Sequence, residues 1–529
     1  MSDTLTMLAP PTAPSALPPA LKTTKADVGS SDRAKGDAGR VASLDGVRGV
    51  AALVVVLTHA LIAAVPLMAA QFSGGPPAKT GTSAWWLTAT PLRLFWAGPE
   101  AVILFFILSG FVLAIPAVRY GARWFDASFY PRRVLRLYIP LWGGLVVAVL
   151  IHAAVRRTEI PGATFWLNAH AVPMHLLDFF RSAALLHEHN SFEFTSVLWT
   201  LRWELIFSML LPLVLLYPLM TRKMPALSAA GALACLGLIY FGAYRDNYYL
   251  LYLPMFVFGS IMAFHAPRLQ AIAARSRPKA LGWFLAITVG LLAIALLTCA
   301  YWSVVPPISI LRLGSHTAFA LIKTASTVGA ALIICLSLVL PAWGRALGKG
   351  PLAWLGSRSY SLYLVHEPIL VTVALLLGGK PAVAPYLFIA VGVSLIAAEL
   401  FHRAVGDPAI RIARRAGRAC NRAFQYLMGT NQGAAARKDA QRPASPRLRP
   451  TITARPRSAV PALAGAHAGG GLSNGFGGGG TIGFSNGSHA AGSNGVRHAA
   501  ANGSRNGSHA PAANGSRDGS HAPAANGFG

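Results

Sequence analysis

The sequence predicts an all-α, polytopic transmembrane helical bundle of about ten spans, with disordered N- and C-terminal segments. Three observations predict it. Charged residues are 12% of the chain and hydrophobic residues 54%, whereas an ordinary soluble protein carries about 25% charge. Apolar runs able to cross a bilayer, about 20 residues each as helix, recur through the middle of the chain. The net charge of +28 sits mostly in the gaps between those runs and in a terminal tail. A basic chain arranged this way points to anionic lipid headgroups and a phosphate-bearing small molecule, and not to nucleic acid.

Residues 1–43 are rich in Pro, Ala, Ser and Thr and hold no early apolar core, so they read as a disordered cytoplasmic leader without a secretory signal. The transmembrane domain covers 44–405. Its spans fall near 47–70, 97–117, 137–155, 196–219, 226–243, 248–265, 280–300, 318–340, 354–377 and 382–402, the sixth being short and containing Pro254. With the N-terminus inside, the inner loops and the segment after the last span hold 20 Lys and Arg against 9 in the outer loops. That bias puts both termini in the cytoplasm, as in a multi-pass protein of a bacterial inner membrane. Residues 406–422 form a basic juxtamembrane segment. Residues 423–529 are a low-complexity tail in which NGSRNGSHAPAA at 502–513 recurs as NGSRDGSHAPAA at 514–525; such composition cannot offset chain entropy by burial. The four cysteines, Cys235, Cys299, Cys335 and Cys420, have neither zinc nor disulfide spacing and read as packing residues.

Ionisable residues inside spans are costly, so each is a candidate for function. Arg48 and His59 are eleven residues apart in the first span. That is about three helical turns, which puts them on one stripe roughly 16 Å apart along the axis. Histidine is suited to take a proton from a hydroxyl at neutral pH; a helix-packing histidine is the alternative. Ser109-Gly110 in the second span suits close helix approach, and Glu100 reads as an interfacial acid. Arg133 and Arg136 are neighbours if helical, and their forks suit phosphate oxygens, though on spacing alone positive-inside anchoring is the stronger reading. Glu204 enters the fourth span from the outside; it could orient His59, bind acceptor hydroxyls, or pair with Arg202 or another arginine. His366 and Glu367 are adjacent intramembrane ionisables followed by Pro368. Glu399 and His402 end the last span, where snorkelling or capping accounts for them. The longest connection, near 157–196, carries His170, His175, His187, His189, Asp178, Glu188 and Glu193. It reads equally as an acceptor-side lid or a solvated connector.

Five motifs in order carry a family resemblance: LDGVRGVAALVVVLTHA at 44–60, FFILSGFVLA at 105–114, RRVLRLYIP at 132–140, LWTLRWELIF at 198–207 and LGSRSYSLYLVHEP at 355–368. Over roughly 44–405 the chain resembles the acyltransferase 3 family, which includes bacterial O-acetyltransferases of surface polysaccharides. The resemblance implies an acyl-CoA donor, usually acetyl-CoA, bound from the cytoplasm, a carbohydrate or glycolipid acceptor, and no metal. It implies that Arg48 and His59 form the family's Arg-x10-His pair, that Arg133 and Arg136 are its Arg-x-x-Arg motif, and that Glu204 and His366 are its other characteristic polar positions. Thr200 stands where the family commonly has Ser, and Val365 where it often has Trp. On this basis His59, Glu204 and His366 are the expected catalytic residues, and Arg48, Arg133 and Arg136 the expected donor-binding ones. His59 would either deprotonate the acceptor hydroxyl or carry the acyl group itself. A proton-coupled secondary transporter using the same His and Glu residues is the alternative function, and a non-enzymatic receptor or scaffold the third.

Overall fold

A computed structural model describes residues 42–72, 78–185, 192–275, 280–302 and 314–428. The leader, the repeat-bearing tail beyond 428, and His187, Glu188 and His189 lie outside the described residues. The described residues form helices and no strand. Among the described residues ten helices are long and apolar enough to cross a membrane, the number the sequence predicts. They are α1 Ala42–Ala64, α2 Gly98–Tyr120, α3 Phe129–Ala154, α4 Trp199–Val214, α5 Pro225–Tyr244, α6 Tyr248–Arg275, α7 Ala280–Trp302, α8 Ser315–Val339, α9 Gly350–Leu376 and α10 Val383–Phe401. The protein is a multi-pass membrane protein.

Several boundaries differ from expectation, each for a local reason. The first helix starts before residue 47 and stops at Ala64, because Pro66 opens a separate short helix, Pro66–Phe72. The fourth span is built in pieces: a 3₁₀ turn at Ser196–Leu198, then α4, then Leu216–Thr221. The sixth runs on to Arg275 with Pro254 and Pro267 inside it, since packed neighbours in a membrane bundle accommodate a proline. After α10, a π-helical turn at His402–Gly406 leads into an eleventh helix, α11, at Asp407–Leu427. The basic segment is therefore helical and continues past residue 422. Its buried residues Ala409, Ala413 and Gly417 repeat every four positions, which gives one small-residue face. That face packs against α3, and its arginines are mostly exposed.

Two helix crossings position everything else, and both rest on missing side chains. A Cβ on Gly110 of α2 would lie 1.9 Å from the carbonyl oxygen of Phe256 on α6, and one on Gly259 of α6 would lie 2.0 Å from that of Ile107. A Cβ on Gly356 of α9 would lie 2.0 Å from the carbonyl oxygen of Asp45 on α1, and one on Gly49 of α1 would lie 2.6 Å from the backbone nitrogen of Gly356. Only glycine permits backbones this close. The glycines of the first, second and ninth-span motifs thus seat α1 on α9 and α2 on α6.

Candidate active site

One cavity sits among α1, α2, α3, α4, α6 and α9, its wall including Arg48, Arg133, Arg136, Glu204, Ser109 and Tyr360. Arg133 and Arg136 lie one turn apart near the start of α3, on the side of the bundle where α1 and α9 also begin. Arg133 is fixed by its neighbours. Its Nη2 donates to Glu204 Oε1 and its Nε donates to Ser208 Oγ at 2.8 Å. Arg136 is exposed and lines the same cavity. Three guanidinium groups against one carboxylate make the cavity wall cationic, and guanidinium forks match phosphate oxygens.

Phe105, Thr200 and Tyr363 also line the cavity. Tyr363 donates its hydroxyl to the Val197 carbonyl at 2.8 Å and lies 2.7 Å from Thr200 Oγ1. The Tyr363 ring packs against His366, with centroids 5.9 Å apart. The arginine cavity therefore ends beside a pair of imidazoles.

His366 is fully buried on α9. Its Nδ1 faces two backbone carbonyls, those of Tyr363 at 2.9 Å and Leu362 at 3.1 Å. Carbonyls only accept, so Nδ1 carries the proton, and in the neutral ring Nε2 is an acceptor. That Nε2 lies 2.9 Å from His59 Nδ1. His59 consequently donates through Nδ1, which leaves its Nε2 without a hydrogen and able to take one. The other face of His59 stacks on Trp166, with centroids 5.5 Å apart and planes 13° apart. Thr58, beside it, places its Oγ1 2.8 Å from the Trp96 carbonyl and so serves packing.

Trp166 comes from the long connection, which folds back over the site. Thr164 caps the short helix Phe165–Asn168 and places its Oγ1 3.2 Å from the Ala63 carbonyl at the end of α1. One turn past Trp166 is His170, 1% exposed. Its Nδ1 faces the Trp166 carbonyl at 2.8 Å and its Nε2 faces Glu367 Oε1 at 2.8 Å. Both nitrogens meet acceptors, so both carry hydrogens, and the ring is an imidazolium paired with a carboxylate. Glu367, fully buried, also accepts from the Ser196 backbone N–H at 2.7 Å and from Ser196 Oγ at 2.9 Å. A buried ion pair needs such extra hydrogen bonds to offset desolvation.

Of the residues singled out in the sequence, Arg48, Arg133, Arg136 and Glu204 meet in the cavity, and His59 and His366 meet beside it. Glu204 is not with the imidazoles. It lies eight residues along from Ser196, about 12 Å down the helix, and pairs with Arg133. Glu204 is not at the end of the bundle where it was expected: its span begins beside Glu367 and carries Glu204 on to Arg133, near the start of α3. Glu100 is likewise no interfacial acid: it is 5% exposed and within electrostatic reach of the buried Lys323 of α8. Glu399 is more than a snorkelling residue, accepting from Arg358 Nε at 2.8 Å and Trp354 Nε1 at 3.0 Å. Sequence reasoning did not place Trp166 and Tyr363 in the site, and it named Glu367 and His170 without giving either a role there. The adjacency of Glu367 to His366 was a signal; His170 was one histidine among several in its loop.

The fold defines a membrane-embedded protein in which two hydrogen-bonded imidazoles stand beside a cationic cavity. The family model described as an acyltransferase domain, that of the acyltransferase 3 family, matches residues 41–400. The chain belongs to that family and is a membrane acyltransferase. Comparisons with curated proteins and with solved structures return no match.

Proposed function

We propose that the protein transfers an acyl group, acetyl in the first instance, from acyl-CoA to a hydroxyl of a carbohydrate or glycolipid acceptor. Arg48, Arg133 and Arg136 hold the donor's phosphates. The side of the bundle that carries them is cytoplasmic in this reading, in keeping with the excess of Lys and Arg in the loops there, and the membrane is a bacterial inner membrane. The pantetheine arm runs along the cavity toward Tyr363 and Thr200, and the thioester reaches His59 past them.

His59 acts as the general base. Its Nε2 takes the acceptor's hydroxyl proton while that oxygen attacks the thioester carbonyl carbon. The tetrahedral intermediate collapses with loss of the CoA thiolate, which leaves protonated by the imidazolium. The products are the acyl ester and CoA thiol, and His59 returns to its starting state. His366 positions His59 through the Nδ1 hydrogen bond and fixes which nitrogen is basic. Glu204 positions Arg133. His170 and Glu367 anchor the connection whose Trp166 covers His59.

The observation that carries this reading is the hydrogen-bond order from the Tyr363 carbonyl through His366 to His59, which supports an unprotonated His59 Nε2 beside an arginine-lined cavity. The test uses protein purified in detergent, acetyl-CoA, and a panel of oligosaccharide and glycolipid acceptors. CoA thiol release must depend on acceptor, and the acceptor must gain the mass of one acetyl group. A His59→Ala protein that folds and still transfers at the wild-type rate overturns the assignment.

A further inference from the structure

On the far side of the imidazoles from the three cavity arginines lies a fourth arginine that the mechanism above does not use. Arg157 follows the end of α3, so that one helix carries Arg133 at one end and leads to Arg157 at the other, about 30 Å away along its axis. Arg157 is 8% exposed, and among the described residues none of its Nε, Nη1 and Nη2 atoms has a hydrogen-bond partner. Burial lowers its pKa to about 10, with the charge of Glu367 working against that shift, so it stays cationic at neutral pH.

Its surroundings belong to the site. Glu367 acts on it electrostatically. So does His152 of α3, which is also within reach of His170 and faces the Glu193 carbonyl. The nearby carboxylates do not satisfy Arg157. Glu367 spends its lone pairs on His170 and Ser196, and neither it nor Glu193 makes a hydrogen bond with the guanidinium. An unpartnered buried guanidinium is among the most expensive groups a protein can hold. A folded chain keeps one where a ligand completes it. Five donors in a planar fork select an oxyanion with two oxygens to offer.

We propose that Arg157 is the acceptor's anion site: it binds a carboxylate or phosphate oxyanion on the molecule that receives the acyl group. This rests on the acyltransferase reading and narrows its acceptor to an anionic one, either a carboxylated sugar or a phosphate-linked carrier. The two arginine sites then flank His59 from opposite sides of the membrane, one for each substrate's negative charge. The bound acceptor is thereby oriented with its hydroxyl toward His59, and a neutral sugar lacks the handle.

The test uses the full chain in detergent with the cavity arginines first saturated by CoA. Binding of sodium glucuronate, inorganic phosphate and neutral glucose is measured by isothermal titration on wild type, Arg157→Gln and Arg157→Lys, with acetyl-CoA affinity measured on each in parallel. The expected result is that one oxyanion binds wild type about tenfold or more tighter than Arg157→Gln, that Arg157→Lys falls between, and that glucose binds none of them. Glucuronate alone identifies a carboxylated sugar; phosphate alone identifies a phosphate-linked acceptor. Equal binding of both oxyanions by wild type and Arg157→Gln, or no binding by wild type, overturns the proposal. Acetyl-CoA affinity should stay within about twofold in both variants, since donor and acceptor sites are separate. Failure of wild type itself to bind acetyl-CoA, with Arg157-dependent oxyanion binding intact, sinks the donor assignment and leaves the anion site standing.

Discussion

His366 Nε2 and His59 Nδ1 are 2.9 Å apart, and the direction of that hydrogen bond is set by backbone, since His366 Nδ1 is already committed to the carbonyls of Leu362 and Tyr363. A helix backbone thus selects, through one imidazole, the basic nitrogen of the next. The arrangement parallels the way a carboxylate fixes the tautomer of a catalytic histidine, with a neutral ring in the carboxylate's place.

Removing either ring therefore has separable effects. His59→Ala should lower the rate of acceptor-dependent CoA release by about 10²–10⁴-fold, the range for loss of a general base. His366→Leu should lower it by roughly 10²-fold while leaving acetyl-CoA affinity unchanged, because His59 loses its fixed tautomer and not its identity. His366→Gln, whose amide oxygen can accept from His59 Nδ1, should recover part of that loss. Equal activity of the Leu and Gln variants counts against a positioning role for His366.

What the sequence reveals of this site follows the geometry of a single helix. Arg48 and His59 share a stripe that 3.6-residue periodicity places directly, and Arg133 and Arg136 are a turn apart for the same reason. Contacts between distant segments are another matter. His170 meets Glu367 across 197 positions, and no local pattern distinguishes it from His175 in the same loop. Glu204 looks like a carboxylate entering its span from the outside because hydropathy gives the length of a span and not where its helix starts among its neighbours. Arg157 looks like one more membrane-flanking cation until the fold buries it. The family motifs, by contrast, are legible because their glycines and charged residues do two jobs at once, seating helices and lining the cavity.

The Arg133–Glu204 pair predicts a donor-side phenotype. Arg133→Lys keeps the charge but loses the fork that reaches Glu204 and Ser208 together, so KM for acetyl-CoA should rise about tenfold with kcat little changed. Arg133→Ala should also destabilise the fold by leaving the Glu204 carboxylate unpaired. Adding Glu204→Gln to it should restore thermal stability without restoring KM. Initial rates across donor concentration, together with melting in detergent, separate the two effects.

The His170–Glu367 pair predicts a stability phenotype at the other side of the site. Glu367→Gln strands a buried imidazolium and should cost about 3–5 kcal/mol, read as a large drop in the thermal midpoint. Glu367→Gln combined with His170→Gln removes both charges and should recover a good part of that loss. A double variant no more stable than the single one contradicts the charge assignment.

The tightest crossing of the bundle predicts where a single methyl group is most harmful. At Gly110 the new Cβ would lie 1.9 Å from a backbone oxygen of α6, which no rotamer change relieves, so α2 and α6 must move apart. Overpacking of this kind costs about 1–3 kcal/mol. The displacement also reaches the site, since Phe105, Phe106 and Ser109 of α2 and Phe256 of α6 all line the arginine cavity. Gly110→Ala should thus lower both the thermal midpoint and acetyl-CoA affinity. Gly392→Ala on α10 is the matched control, because nothing lies within 4 Å of the Cβ it adds. Alanine there gains up to about 1 kcal/mol of helix propensity over glycine, so that variant should melt at or above wild type and bind donor normally. If the two substitutions behave alike, the close α2–α6 contact is not what holds the cavity in shape.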